Sequence, residues 1–279
     1  MGESRGRVRK DSRQEIAEFE AEFLSTVAHA LRAPLGTIVS YTELIADEKD
    51  RLSPDAAGFV DVVQRAAGQL TRLVADLVLL SHADTGTLRS QQQRVQAGET
   101  VAEAVRSAAG AAERAGVTLT ADTGPGPQVR TDPAQLRQAL DYLIGNAIKF
   151  TPAGGTVRVT GSQDGPGWRA VVADTGIGIP EDELSHVFDR YFRSSRSRSA
   201  GQPGAGLGLA IVRTLAELQG GRAEAASGPE GGSRFSLCLP LAAGQDGEGR
   251  PAADGGDGQA GRGSPPGNTR PPGTAADGT

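Results

Sequence analysis

The stretch FLSTVAHALRAPLGTIVSYTELI, Phe23 to Ile45, decides how the rest of the chain is read. Small or apolar residues recur at Leu24, Ala28, Leu31, Leu35, Ile38, Thr42 and Ile45, in alternating steps of four and three. That spacing predicts an amphipathic helix with a coiled-coil-like seam and one polar break at Thr42. His29 is one of only three histidines in 279 residues. It falls one position past the seam, about 100° round the helix, so its ring flanks the buried stripe and meets solvent. Pro34 costs the helix a backbone hydrogen bond and predicts a bend near Ala30.

Working outward, the helical pattern extends from about Ser12 to Asp47, and Lys49 to Leu52 reads as a turn. Ser53 and Pro54 then open a second helix, with serine as N-cap and proline at the first position. Its seam is Phe59, Val63, Ala66, Leu70, Leu73, Leu77 and Leu80. Two such helices joined by a short turn predict an antiparallel hairpin. Each helix covers only part of the other's stripe. Pairing two hairpins into a four-helix bundle buries both, so a homodimer is expected.

The remainder mixes strands and helices, which predicts a two-layer α/β sandwich and an α+β chain overall. Strands are expected at Val117–Ala121, Pro127–Arg130, Thr156–Ser162, Trp168–Ala173, Arg222–Ala226 and Ser233–Leu239. Helices are expected from Gly98 to Ala115, from Pro133 (capped by Asp132) to Phe150, over Pro180–Val187 and over Leu207–Gln219. The expected organisation is a flexible N-terminus (1–11), a helical hairpin (12–84), a linker (85–93), the sandwich (94–242) and a tail (243–279). The tail has no large apolar side chain and is expected to be disordered.

Net charge is −5 and evenly spread, which leaves no footprint for nucleic acid. The single cysteine, Cys238, forbids an intrachain disulfide and sits in an apolar run, as a small core residue does. No apolar run approaches the ~18–20 residues of a transmembrane helix, and no signal peptide is evident, so a cytoplasmic chain is expected.

Four separated segments suit a phosphorylated, adenine-like ligand. Asn146 and Lys149 end a helix; the amide oxygen suits Mg²⁺ and the ammonium suits phosphate. Asp174-Thr175-Gly176-Ile177-Gly178-Ile179-Pro180 follows a strand. Its glycines admit a planar base and its carboxylate accepts from an exocyclic amine. Phe188, Phe192 and Arg193 precede a polar segment, Ser194–Ala205, expected not to hold one conformation by itself. Gly204, Gly206, Leu207 and Gly208 open a helix, where free N–H groups and the dipole favour phosphate. Neither a Rossmann fingerprint nor a P-loop is present.

In this order and spacing the four segments resemble the N, G1, F and G2 boxes of sensor histidine kinases. The Phe23–Ile45 stretch resembles their H-box, which typically reads S-H-E-L-R-T-P-L. The resemblance spans about Phe19 to Leu241. It implies a Bergerat-type ATP fold, a dimeric hairpin bearing the phosphoacceptor His29, and transfer of phosphate to an aspartate of a response regulator. It also implies Mg²⁺ on Asn146, phosphate on Lys149 and the adenine amine on Asp174. Gly176 and Gly178 then shape the base pocket, and Gly204, Gly206 and Gly208 the phosphate side. Phe188, Phe192, Arg193 and Leu207 join the same ATP site, and Ser194–Ala205 becomes a lid ordered by nucleotide.

The chain departs from that family at two places. Ala30 stands where the family usually has an acid that takes the imidazole proton, a loss worth ~10²–10⁴-fold in rate. Ala33 stands where it often has Thr or Asn for dephosphorylating the regulator. The expectation is a slow histidine kinase, with a weakened ATP-binding scaffold as the alternative. A hydrolase of the gyrase, MutL or Hsp90 kind places a glutamate four residues before the Mg²⁺ asparagine. Here that residue is Tyr142, with Asp141 one step off on another helix face. His82 is read as favouring a helix C-terminus, and His186 as a surface or lid-support residue.

Overall fold

The computed structural model describes residues 26–28, 30–48, 51–124, 126–228 and 231–242. His29, Lys49, the N-terminal segment and the tail from residue 243 lie outside the described residues, so the expectations placed on them stay there.

The first helix, α1, is described at residues 26–28 and 30–47, and it runs through Pro34. The second, α2, spans Pro54–Asp84, and Ser53 Oγ accepts from the Ala56 N–H at 3.3 Å. Along α1 the expected seam divides by alternate steps. Ala28, Leu35 and Thr42 are buried, whereas Leu31, Ile38 and Ile45 are more than two-fifths exposed. The break at Thr42 is satisfied locally, because its hydroxyl donates to the carbonyls of Ile38 and Val39 at 2.8 and 2.9 Å.

On α2 the first half of the expected seam stays open in the single chain. Phe59, Val63, Ala66 and Leu70 are exposed, and the inward row lies one residue on, at Val60, Gln64 and Ala67. Both rows have helical spacing, so periodicity alone did not decide between them.

After the hairpin the elements are β1 (Gln93–Gln96), α3 (Ala97–Ala115), β2 (Thr118–Thr123), β3 (Gln128–Thr131) and α4 (Pro133–Phe150). Then come β4 (Thr156–Asp164), β5 (Gly167–Asp174), a 3-10 helix (Glu181–His186), α5 (Ser195–Ser199), α6 (Gly208–Leu218), β6 (Arg222–Ser227) and β7 (Ser233–Pro240). The main sheet has the order β2-β4-β5-β7-β6; β2 and β4 are parallel and the other pairs antiparallel. Strand β1, placed within and just after the expected linker, pairs with β3 in a small second sheet. Its sequence, QRVQ, is short and polar, so it carries little strand signal.

Helices α3, α4 and α6 pack on the sheet around one core. Leu136, Leu140, Leu143 and Ile144 of α4 meet Val157 and Val159 of β4, Trp168 and Val172 of β5, and Ile211 and Leu215 of α6. Asp132 caps α4, its Oδ1 accepting from the N–H groups of Ala134 and Gln135. That cap fixes where α4 starts and hence which of its residues face the mouth of the sandwich. Cys238 is buried and unpaired in β7, as expected, and burial pushes its thiol up.

Candidate functional site

The C-terminal half of α4, the end of β5 and the loops on either side of α5 enclose a cavity of about 760 Å³. Asn146, Lys149, Asp174, Gly178, Phe192, Arg193, Gly204, Gly206, Leu207 and Gly208 all line it. The apolar part of the lining includes Ile177, Ile179, Val187, Leu209 and Phe235. An apolar cleft with a few convergent polar groups is the usual form of a small-molecule site.

Asp174 closes β5 and is 4 % exposed. Its Oδ1 accepts from the N–H groups of Gly176 at 2.8 Å and Ser233 at 3.1 Å. Both bonds fall on one oxygen, so the carboxylate is fixed in place with Oδ2 left for a donor in the cavity. Burial pushes this carboxyl above its ordinary range, and the two backbone N–H groups pull it partly back.

Gly176 lies behind Asp174 and not on the cavity wall, packed on the Phe150 carbonyl. Gly178 has φ 67°, and a Cβ there would sit 2.0 Å from the Gly231 carbonyl oxygen. Gly206 has φ 74°, and its Cβ would sit 2.5 Å from the Phe192 carbonyl oxygen. At these two positions only glycine gives both the left-handed backbone and the close approach.

Lys149 and Arg193 converge on the loop before α6. Lys149 Nζ donates to the Pro203 carbonyl, and Arg193 Nη2 donates to the Gln202 carbonyl. Burial, and then the neighbouring Arg193, hold the Lys149 ammonium below its ordinary range. Two cations facing each other across a half-buried gap form a setting that an anion relieves.

The segment Ser194–Ala205 holds more structure than expected. Ser194 caps the short helix α5, its Oγ accepting from the Ser197 N–H at 3.2 Å. The Glu183 carboxylate accepts from the Ser195 N–H, and Arg196 Nη1 donates to the Ile177 carbonyl at 2.8 Å. These bonds reach outside the segment, which is why its composition did not reveal them.

Phe188 is not brought to the cavity. It packs edge-on against Phe235, with ring centroids 6.5 Å apart. The chain reverses three residues later at Tyr191, a bulky residue at φ 62° whose N–H donates to the Gly206 carbonyl at 2.9 Å. This reversal sends Phe192 and Arg193 inward and Arg190 outward. Arg190 forks onto Asp84 of α2, with both N–O distances 2.6 Å. His186 is exposed and its Nδ1 lies 2.9 Å from Asp189 Oδ2, which fits a surface role. His82 lies in the last turn of α2.

Sequence reasoning missed the far wall. The hairpin contributes Gln69, Arg72, Leu73 and Asp76 from α2. Asp76, 6 % exposed in an otherwise apolar stretch, accepts from the Tyr142 hydroxyl. Burial pushes the Asp76 carboxyl up, opposed by Tyr142 and by Arg72. Burial and the Asp76 carboxylate together push the Tyr142 phenol up. Tyr142 also abuts Gly208 across the cavity mouth. Asp141, expected on another helix face, does reach the cavity, but its carboxylate is held by Arg137 Nε at 2.8 Å.

Comparison with known proteins bears on both halves. A family model described as the His Kinase A (phospho-acceptor) domain matches residues 19–86. One described as histidine kinase-, DNA gyrase B- and HSP90-like ATPase matches residues 131–243. The chain is 34 % identical over 230 residues to sensor protein DivL of Caulobacter vibrioides, covering 81 % of this chain and 29 % of that protein. It is 30 % identical over 222 residues to phosphate regulon sensor protein PhoR of Pseudomonas aeruginosa, covering 80 % and 50 %. It is 31 % identical over 234 residues to sensor-like histidine kinase SenX3 of Mycolicibacterium smegmatis, covering 82 % and 60 %. The chain thus spans from 29 % to 60 % of the length of these relatives. Among solved structures, full-length ShkA in complex with AMPPNP superposes with a TM-score of 0.66 at 28 % identity, covering 80 % of this chain and 46 % of that one.

Proposed function

The chain belongs to the sensor histidine kinases of two-component systems, and from that premise we propose that it transfers the γ-phosphoryl group of ATP to its own His29. The observation that carries this reading is the single cavity in which Asp174, Asn146, Lys149 and the Gly204–Gly208 loop meet. Asp174 Oδ2 accepts the adenine amine, and the apolar lining takes the faces of the base. Lys149 and Arg193 exchange the lid carbonyls they hold for phosphate oxygens, so nucleotide and lid compete for the same two cations.

The donor set fits Mg²⁺ carried by the nucleotide. Asn146 lines the cavity, and its amide oxygen would hold the ion. When bound, the ion supplies charge neutralisation on the transferring phosphoryl group.

In the transfer step a neutral His29 imidazole nitrogen attacks the γ-phosphorus, the bond to the β-bridging oxygen breaks, and ADP leaves. The imidazole proton passes to solvent, because Ala30 offers no carboxylate. Positioning and electrostatics dominate phosphoryl transfer, so the reaction proceeds slowly without that base. The phosphoryl group then passes to an aspartate carboxylate of a response regulator. Two hairpins pair through their exposed apolar rows to give a homodimer in the cytoplasm. The matches and the cavity together support this reading.

A second reading is favoured by Ala30 and Ala33, both exposed methyl side chains on α1. In it the chain is an ATP-binding dimeric scaffold whose catalysis has lapsed. Incubation with γ-labelled ATP and Mg²⁺ separates the two. The kinase gives acid-labile, base-stable label on the wild type and none on His29→Gln. Nucleotide bound with no label on either protein sinks the kinase and leaves the scaffold.

A further inference from the structure

The cavity continues past the residues assigned to the nucleotide. Helix α4 lines it with Phe150, Asn146, Tyr142 and Gln138, on successive turns of one face. At 1.5 Å per residue these span about 18 Å. Asp174 stands at the Phe150 end, where the loop that follows it packs on the Phe150 carbonyl. The other end abuts α2, through the hydrogen bond between Tyr142 and Asp76.

Three cationic side chains line the cavity among the described residues: Lys149, Arg193 and Arg72. The first two serve the lid side. Arg72 alone comes from the hairpin, and it is electrostatically coupled to both Asp76 and Tyr142, which places it at the α2 end. Two carboxyl groups, Asp76 and Asp141, line that same end.

We propose that Arg72 reaches from α2 to the terminal phosphate of ATP in this cavity and makes the site favour ATP over ADP. The proposal rests on the reading of the cavity as an ATP site. A nucleotide with its adenine at Asp174 runs along α4 past Asn146, so its last phosphate points towards Tyr142 and α2. Without Arg72 that phosphate meets the Asp76 carboxylate with no cation beside it, and like charges in a half-buried site repel. With Arg72 it meets a planar cation whose paired donors match phosphate oxygens. ADP ends short of this region and gains nothing from it. The contact also explains why an exposed arginine and a buried aspartate occur in a part of α2 otherwise suited to packing. Asp76 draws the guanidinium towards the cavity, and Tyr142 keeps Asp76 from swinging into the ligand's path.

The test is calorimetric binding of AMPPNP and of ADP, each with Mg²⁺, to the full chain and to Arg72→Ala and Arg72→Lys. Arg72 is exposed on a helix and alanine is a strong helix former, so the fold is kept. Arg72→Ala weakens AMPPNP by about tenfold or more and leaves ADP unchanged. Arg72→Lys falls between, since it restores the charge without the fork. The ratio of the two affinities is a readout that a purely structural role does not move. Equal losses for both nucleotides, or no loss for either, overturn the role given to Arg72. A wild-type chain that binds neither nucleotide overturns the ATP reading itself.

Discussion

The hairpin and the sandwich bury their apolar residues to very different extents. In the sandwich, Leu136, Leu140, Leu143 and Ile144 have no exposed surface, and the core is closed by the chain's own strands and helices. In the hairpin, Phe59 is 71 % exposed, Leu44 62 % and Leu70 50 %. Its inner rows are mostly small or polar: Ala28, Thr42 and Ala67, with Leu35 and, where α2 meets the sandwich core, Leu80 as the large members. The core of the sandwich is thus closed within one chain, and the apolar rows of the hairpin are not. The chemistry divides the same way. The sandwich carries Asp174, Asn146, Lys149 and the glycine loops in one cavity, whereas the hairpin offers alanine on either side of its acceptor segment. A cavity lined largely by the sandwich is joined to a stem whose apolar rows stay open.

The strongest way to break this contrast is to charge the exposed row. In a twofold dimer each substitution acts twice, and each buried phenylalanine is worth about 1.5–3 kcal/mol. Phe59→Asp therefore raises the dimer dissociation constant by at least about 100-fold in sedimentation equilibrium. An unchanged constant means the exposed row covers no partner copy. In the sandwich the corresponding weak point is a backbone approach. Gly178→Ala forces a methyl group against the Gly231 carbonyl at a left-handed backbone position, at a cost of about 2 kcal/mol or more. The melting temperature falls by roughly 4–8 °C, and a change within error in calorimetry contradicts the tight turn.

The smallest effect joins the two regions. Burial raises the Asp76 carboxyl in the folded state, so its neutral form is the one the fold favours. That contribution is present below the ordinary carboxylate range and is lost as pH rises through the raised value. Asp76→Asn keeps an acceptor for the Tyr142 hydroxyl and removes the charge. Its melting temperature matches the wild type at acid pH and exceeds it increasingly as pH rises through the raised value of the Asp76 carboxyl. A gap that does not vary with pH contradicts the assignment.

Much of the cavity lining was legible because its signals are local. Asp174, Gly176 and Gly178 lie within five residues, and Asn146 and Lys149 share one helix end, so spacing alone brought each group together. Phe188 was expected beside the ligand and lies outside the cavity lining, because the reversal at Tyr191 depends on a bond to Gly206, which no neighbouring residue announces. The Asp76–Tyr142 pair was invisible for a stronger reason. Its members are 66 residues apart, one in a helix that reads as apolar and the other where a hydrolase would have its glutamate. The inner row of α2 was missed because rows one residue apart share the same spacing, and only the packed hairpin selects between them.

The proposed slow transfer to His29 rests on the absence of an acid beside it, and one time course tests it. Labelling from γ-labelled ATP is followed on the wild type and on Ala30→Glu, under nucleotide saturation that equalises binding. Slow label on the wild type, with Ala30→Glu faster by about 10²-fold or more, is the predicted result. Equal rates in the two proteins would contradict it.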